Sequence, residues 1–140
     1  MRFTEREMTV AVDTVAQQMF AATRPPWRRK DVEAAWQALR PIDRYQRKKA
    51  VGETVLPALN ALPERPTVGA HPEFSDEEYT EAATVGSRAL LEARSPGAWD
   101  EMPERRRRRL VRAAAALTRS AIRAMPVRQD PDDVTVPDHL

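Results

Sequence analysis

Phe3-Thr4-Glu5-Arg6-Glu7-Met8, near the start of the chain, decides the fold, and it has a second version in Phe74-Ser75-Asp76-Glu77-Glu78-Tyr79. In each stretch a hydroxyl residue stands three positions before a Glu. That spacing lets the hydroxyl accept the N–H of the third helical residue while the Glu side chain returns a bond to the cap's own N–H. The aromatic residue just before each cap, Phe3 or Phe74, pairs with Met8 or Tyr79 in the first turn, which fixes the angle at which the chain enters the helix. Two helix starts are therefore marked by the same chemistry.

Working outward from the first start, Met8, Ala11, Val12, Val15, Met19 and Ala22 recur at helical spacing while Asp13, Thr14, Gln17 and Gln18 take other faces. The pattern predicts a helix over 4–23, ended by Pro25 and Pro26. From the second start, Tyr79, Ala82, Ala83, Gly86, Leu90 and Ala93 give a helix over 75–94 whose narrow face of small residues admits close approach by another helix. A short helix is expected over 31–39, with Asp31 as its cap and Val32, Ala35, Trp36 and Leu39 on one stripe. Pro41 suits the first turn of a helix over 41–62, whose apolar side carries Ile42, Tyr45, Val55, Leu56, Leu59 and Leu62. Gly52 weakens that helix, and Pro57 removes an interior hydrogen bond, so a kink is expected near 53–57. A last helix over 103–125 turns Leu110, Val111, Ala114, Leu117, Ala121, Ile122 and Met125 inward.

Between the halves, Pro63, Pro66, Gly69 and Pro72 make 64–73 a linker without periodicity. Beyond Pro126 the chain carries Asp130, Asp132, Asp133 and Asp138 among helix-hostile residues, and 126–140 reads as an acidic, disordered tail.

The halves match in order. At an offset of 71, Ala11 falls on Ala82, Met19 on Leu90 and Pro25 on Pro96. At an offset of 63, Ala35-Trp36 falls on Ala98-Trp99, Leu59 on Ile122 and Leu62-Pro63 on Met125-Pro126. The first half carries about eight extra residues around 27–34. These matches favour duplication of a helix–Trp–helix unit, with halves of about 3–63 and 74–126. The expected fold is all-α, a four-helix bundle plus one short helix in a single domain over 1–125, with Trp36 and Trp99 as equivalent plugs between paired helices.

Composition narrows the function classes. With 140 residues one domain is expected, and no cysteine is present for disulfides or thiolate metal sites. No apolar run approaches a membrane span, residues 1–23 interleave charge where a signal peptide would be apolar, and a cytoplasmic location without membrane contact is expected. The net charge of +2 hides a bias: Lys30, Lys48 and Lys49 are the only lysines among 23 basic residues. Because a GC-rich coding sequence also enriches Arg, position matters more than number.

One cationic ridge stands out. At 100° per residue, Arg105, Arg108, Arg109, Arg112, Arg119 and Arg123 fall on one side of the last helix, opposite Leu110, Ala114 and Ala121, over about 27 Å. Guanidinium forks in that array suit phosphate oxygens; the alternative is a solvated face paired with acidic first turns at Glu5–Glu7 or Asp76–Glu78. Arg106 and Arg107 turn toward the apolar side, where the helix either overhangs the core or meets carboxylates. A second cluster, Arg24, Arg28, Arg29 and Lys30, surrounds Trp27, which can stack on a base but more commonly packs over a bundle end under Arg stems.

Enzymatic constellations are poor. His71 and His139 are the only histidines, no Gly-rich phosphate loop or helix-turn-helix signature is present, and acid pairs such as Glu77 and Glu81 lack the His partners of diiron bundles. The expectation is a non-enzymatic interaction module without cofactor or metal, whose partner is a protein, a second copy of this chain included. The alternative is nucleic-acid or phosphate binding through the arginine ridge.

Overall fold

The computed structural model of the chain describes residues 1–130, and throughout these the fold is all-α. Its elements are α1 (Glu5–Ala22), a 3-10 segment (Pro26–Asp31), α2 (Val32–Ala38), α3 (Pro41–Ala61), α4 (Asp76–Arg94), α5 (Ala98–Glu101) and α6 (Glu104–Ala124). Both capping boxes form. Thr4 Oγ1 accepts the Glu7 N–H at 3.1 Å while Glu7 Oε1 accepts the Thr4 N–H at 2.8 Å. Ser75 Oγ and Glu78 Oε1 repeat this at 3.1 and 2.9 Å. Phe74 stacks edge-on against Tyr79 at 5.5 Å, closing the second start as expected.

The four long helices surround a main core that includes Ala11, Val15, Val55, Leu59, Ala82, Ala121 and Ile122, all essentially without exposed surface, and a smaller cluster of Ala83, Val111 and Ala114 against which Trp99 packs. α3 packs against α4, α4 against α6, α6 against α1 and α1 against α3. The closest approach uses the small face of α4. A Cβ built at Gly86 would lie 2.8 Å from the Ala58 backbone nitrogen, so the two helices meet there backbone to backbone. α3 runs as one helix through Pro57.

One end of the bundle is tied by a set of related contacts between the halves. The Met1 amine donates to the Leu62 carbonyl, and His71 Nε2 lies 2.7 Å from the Met125 carbonyl oxygen, so both long C-terminal helices have their last carbonyls met. Arg65, just past α3, pairs with the capping Glu78 of α4 at 2.7 Å and lies over Phe74. Arg128, just past α6, pairs with the capping Glu7 of α1 at 3.1 Å and lies over Phe3. The end of each half thus holds the start of the other.

Four expectations need correction. The acidic tail was expected to be free from residue 126 onward, yet Arg128 is held by Glu7 and by the Arg2 carbonyl, and its own carbonyl accepts from Gly69. The charge pair and the backbone bond outweigh the local aversion of this segment to regular structure; residues 131–140 lie outside the described residues. Asp31 does not cap α2 with its side chain, because a 3-10 turn leads directly into that helix. The third concerns Ile42 and Tyr45, which are exposed because α3 extends beyond the core at its start. The two expected Trp plugs also differ: Trp36 is 2% exposed and packs on Phe20 at 5.5 Å, whereas Trp99 is only partly covered.

Candidate binding surface

Because Met1, Leu62, Glu78 and Arg128 gather at one end, the last turn of α1, the first turns of α3 and α6, and both connections lie at the other. The cluster around Trp27 belongs to this second end, and the ridge on α6 begins there and runs to Arg119 and Arg123 near the first. Arg24 lies over the Phe20 ring at 5.7 Å, and Arg28, Arg29 and Lys30 are exposed in the 3-10 segment. Trp27 among them is 80% exposed, so it does not pack over the bundle end under Arg stems as the commoner arrangement would have it.

Large apolar side chains accompany these cations. Met19 at the end of α1, Trp27 in the connection, and Ile42 and Tyr45 at the start of α3 are all exposed. Met19 also borders an open, mainly apolar cleft of about 320 Å³ with Ala16, Ala50, Val51 and Leu117, where Arg47 forms one wall. Arg47 in turn lies over Phe20 at 5.1 Å, placing its guanidinium beside rather than within the apolar surface.

The ridge on α6 divides into two kinds of arginine. Arg119 pairs with Asp76 and lies over the Tyr79 ring at 4.9 Å, and Arg108 pairs with Glu104 at 2.8 Å. Arg105, Arg109, Arg112 and Arg123 are exposed, and none has an ion-pair or hydrogen-bond partner among the described residues. The acidic first turn of α4 therefore neutralises only one member of the ridge. Burial raises the Tyr79 hydroxyl above its ordinary pKa, with Arg119 and Arg123 pulling the other way. Arg106 is exposed, while Arg107 meets a backbone carbonyl rather than a carboxylate: it donates to the Trp99 carbonyl at 3.1 Å and lies over that ring at 5.7 Å. Sequence reasoning missed this anchor. The signal was present, since Arg44 stands eight residues after Trp36 as Arg107 does after Trp99, and it too donates to the carbonyls of its Trp segment.

Beside Trp99, between α4 and α6, lies a further open cleft of about 510 Å³ with Thr80 and Thr84 on one wall and Val111 and Arg112 on the other. Among the described residues no group of three His, Asp or Glu is arranged to hold a metal, and no helix is long and apolar enough to cross a membrane. Compared with protein-family models, characterised proteins and solved structures, the chain matches none.

Proposed function

We propose that this protein is a non-enzymatic docking module whose partner is another protein, engaged through the connection end of the bundle. The observation that carries the reading is the exposure of Met19, Trp27, Ile42 and Tyr45 at the same end of the bundle as Arg24, Arg28, Arg29 and Lys30. Aromatic residues, Met and Arg are the types that protein interfaces concentrate, and a few such anchors supply most of the binding energy. A complementary surface would be apolar at its centre and acidic at its edge. Two copies of this chain meeting patch to patch would bring like charges together, which favours a different, acidic partner over self-association.

The proposal includes the origin of the fold. Reciprocal Arg65–Glu78 and Arg128–Glu7 pairs, matching capping boxes and matching Arg–Trp carbonyl bonds support descent of the two halves from one duplicated unit.

The test replaces Trp27, Ile42 and Tyr45 together by Ser. These side chains are exposed, so the melting temperature should stay unchanged while capture of a defined partner from extract, and reconstituted binding to that purified partner, should be lost. Retained binding by the triple variant overturns the reading. A second reading, nucleic-acid binding through the α6 ridge, is supported by Arg105, Arg109, Arg112 and Arg123, which have no partner among the described residues, and by an exposed Trp27 among cations.

A further inference from the structure

The two halves are built alike, yet they treat the space beside their tryptophans differently. In the first half Trp36 is buried against Phe20, and an Asp13–Lys48 ion pair of 3.0 Å links α1 to α3. Applying the offsets of the two halves, Phe20 becomes Leu91, Asp13 becomes Thr84 and Lys48 becomes Val111. The second half therefore has a smaller side chain where Phe20 packs, and neutral walls where the ion pair stands. It also lacks the residues around 27–34 that form the 3-10 segment and the entry to α2; only the single turn of α5 stands there. Thr84 and Val111, standing where Asp13 and Lys48 pair in the first half, line an open cleft beside Trp99.

The chemistry of this cleft is uneven. Trp99, Val111 and Ala115 give it an apolar side, and Arg107, Arg108 and Arg112 give it a cationic one. Arg107 is fixed by the Trp99 carbonyl, Arg108 by Glu104, and Arg112 has no partner among the described residues. The one acid on its lining, Glu104, is already engaged. The Thr80 and Thr84 hydroxyls donate to the carbonyls of Asp76 and Thr80, both at 2.8 Å, so toward a ligand each presents lone pairs and a methyl group. An apolar and aromatic side next to three arginines, at a volume within the usual range for small-ligand pockets, suits a ring-bearing anion whose charge is carried on oxygens in a forked array.

We propose that the α4–α6 cleft binds a small phosphate monoester with a planar ring, of the nucleoside monophosphate class, the ring lying toward Trp99 and the phosphate toward Arg112 and Arg108. This site shares the connection end with the docking patch but none of the residues Trp27, Ile42 and Tyr45 on which that patch rests, so each can fail without the other.

The test is a titration of the full-length, nitrogen-15-labelled protein with adenosine monophosphate, following the indole N–H resonances of Trp27, Trp36 and Trp99. A saturable shift confined to Trp99 is expected. Arg112→Gln should weaken binding at least about tenfold, the scale of one charge-assisted hydrogen bond, with the Trp27 and Trp36 resonances unmoved as evidence of an intact fold. Adenosine and inorganic phosphate, each alone, should bind at least about tenfold more weakly than the monophosphate. No saturable Trp99 shift, a response at Trp27 instead, equal binding by Arg112→Gln, or equal binding of inorganic phosphate would each overturn the proposal.

Discussion

Gly86 and Gly52 occupy helix interiors of the same bundle, and their neighbours give them opposite roles. At Gly86 an added Cβ meets the backbone of Pro57 and Ala58, which cannot move aside without separating α4 from α3. Gly86→Ala should therefore cost about 1–3 kcal/mol, as overpacking does. At Gly52 the nearest atom to an added Cβ is the flexible Leu56 Cδ1 at 3.6 Å, an ordinary contact. Gly52→Ala should stabilise by about 0.4–1 kcal/mol by restricting the unfolded chain. The same contrast holds among the tryptophans. Trp36→Ala should lose about 3–5 kcal/mol and Trp27→Ala should stay within about 0.5 kcal/mol of wild type, because only the first ring is enclosed. Urea unfolding midpoints check all four.

For the helices, each capping box and the arginine that holds it form one device, Thr4, Glu7 and Arg128 at the start of α1 and Ser75, Glu78 and Arg65 at the start of α4. Thr4→Ala and Ser75→Ala should each lose about 1 kcal/mol, and by similar amounts, since the two boxes share their geometry. Burial raises the proton affinity of Glu7, but hydrogen bonds from Arg128 and the Thr4 N–H outweigh it and leave its pKa below the ordinary 4.5. For Glu78 the Arg65 bond is the main cause of a shift in the same direction. A lowered folded pKa means that the unfolded chain binds more protons, so this stabilisation is fully present above about pH 4.5 and is lost as pH falls through the folded values. Arg128→Gln should flatten the acid side of the stability profile between about pH 6 and about pH 3, and unfolding midpoints measured across that range would show it.

At the scale of the molecule, cations crowd the connection end while the acidic starts of α1 and α4 sit at the other, and this polarity makes salt the informative variable. If the ridge binds nucleic acid, the logarithm of affinity for a labelled oligonucleotide falls linearly with the logarithm of salt concentration. The variants that test it are Arg105, Arg109, Arg112 and Arg123 to Gln, because Arg119 is committed to Asp76 and Tyr79. Removal of the acidic segment must begin after residue 130, sparing the Arg128 contact to Glu7, and should tighten binding by taking away Asp132, Asp133 and Asp138. Fluorescence polarisation at several salt concentrations measures both. Loss of all binding at low salt in the shortened protein would remove this second reading and leave the protein-docking one.

Sequence by itself determined the four long helices, the starts of α1 and α4 and the core face of the last helix, because capping and periodicity are local: Thr4 with Glu7, Ser75 with Glu78, and the Val111–Ile122 stripe act within a turn or two of themselves. It also placed the arginine ridge, since angle along a helix follows from position alone. Tertiary structure decided everything that depends on what stands opposite. Whether Trp27, Ile42 and Tyr45 are covered, whether Trp99 closes its half as Trp36 does, which ridge arginines find an acid, and where Arg128 goes are all set by residues tens of positions away. No periodicity records those distances, because each depends on how far a helix overhangs its neighbour and on which side chain the facing helix happens to present.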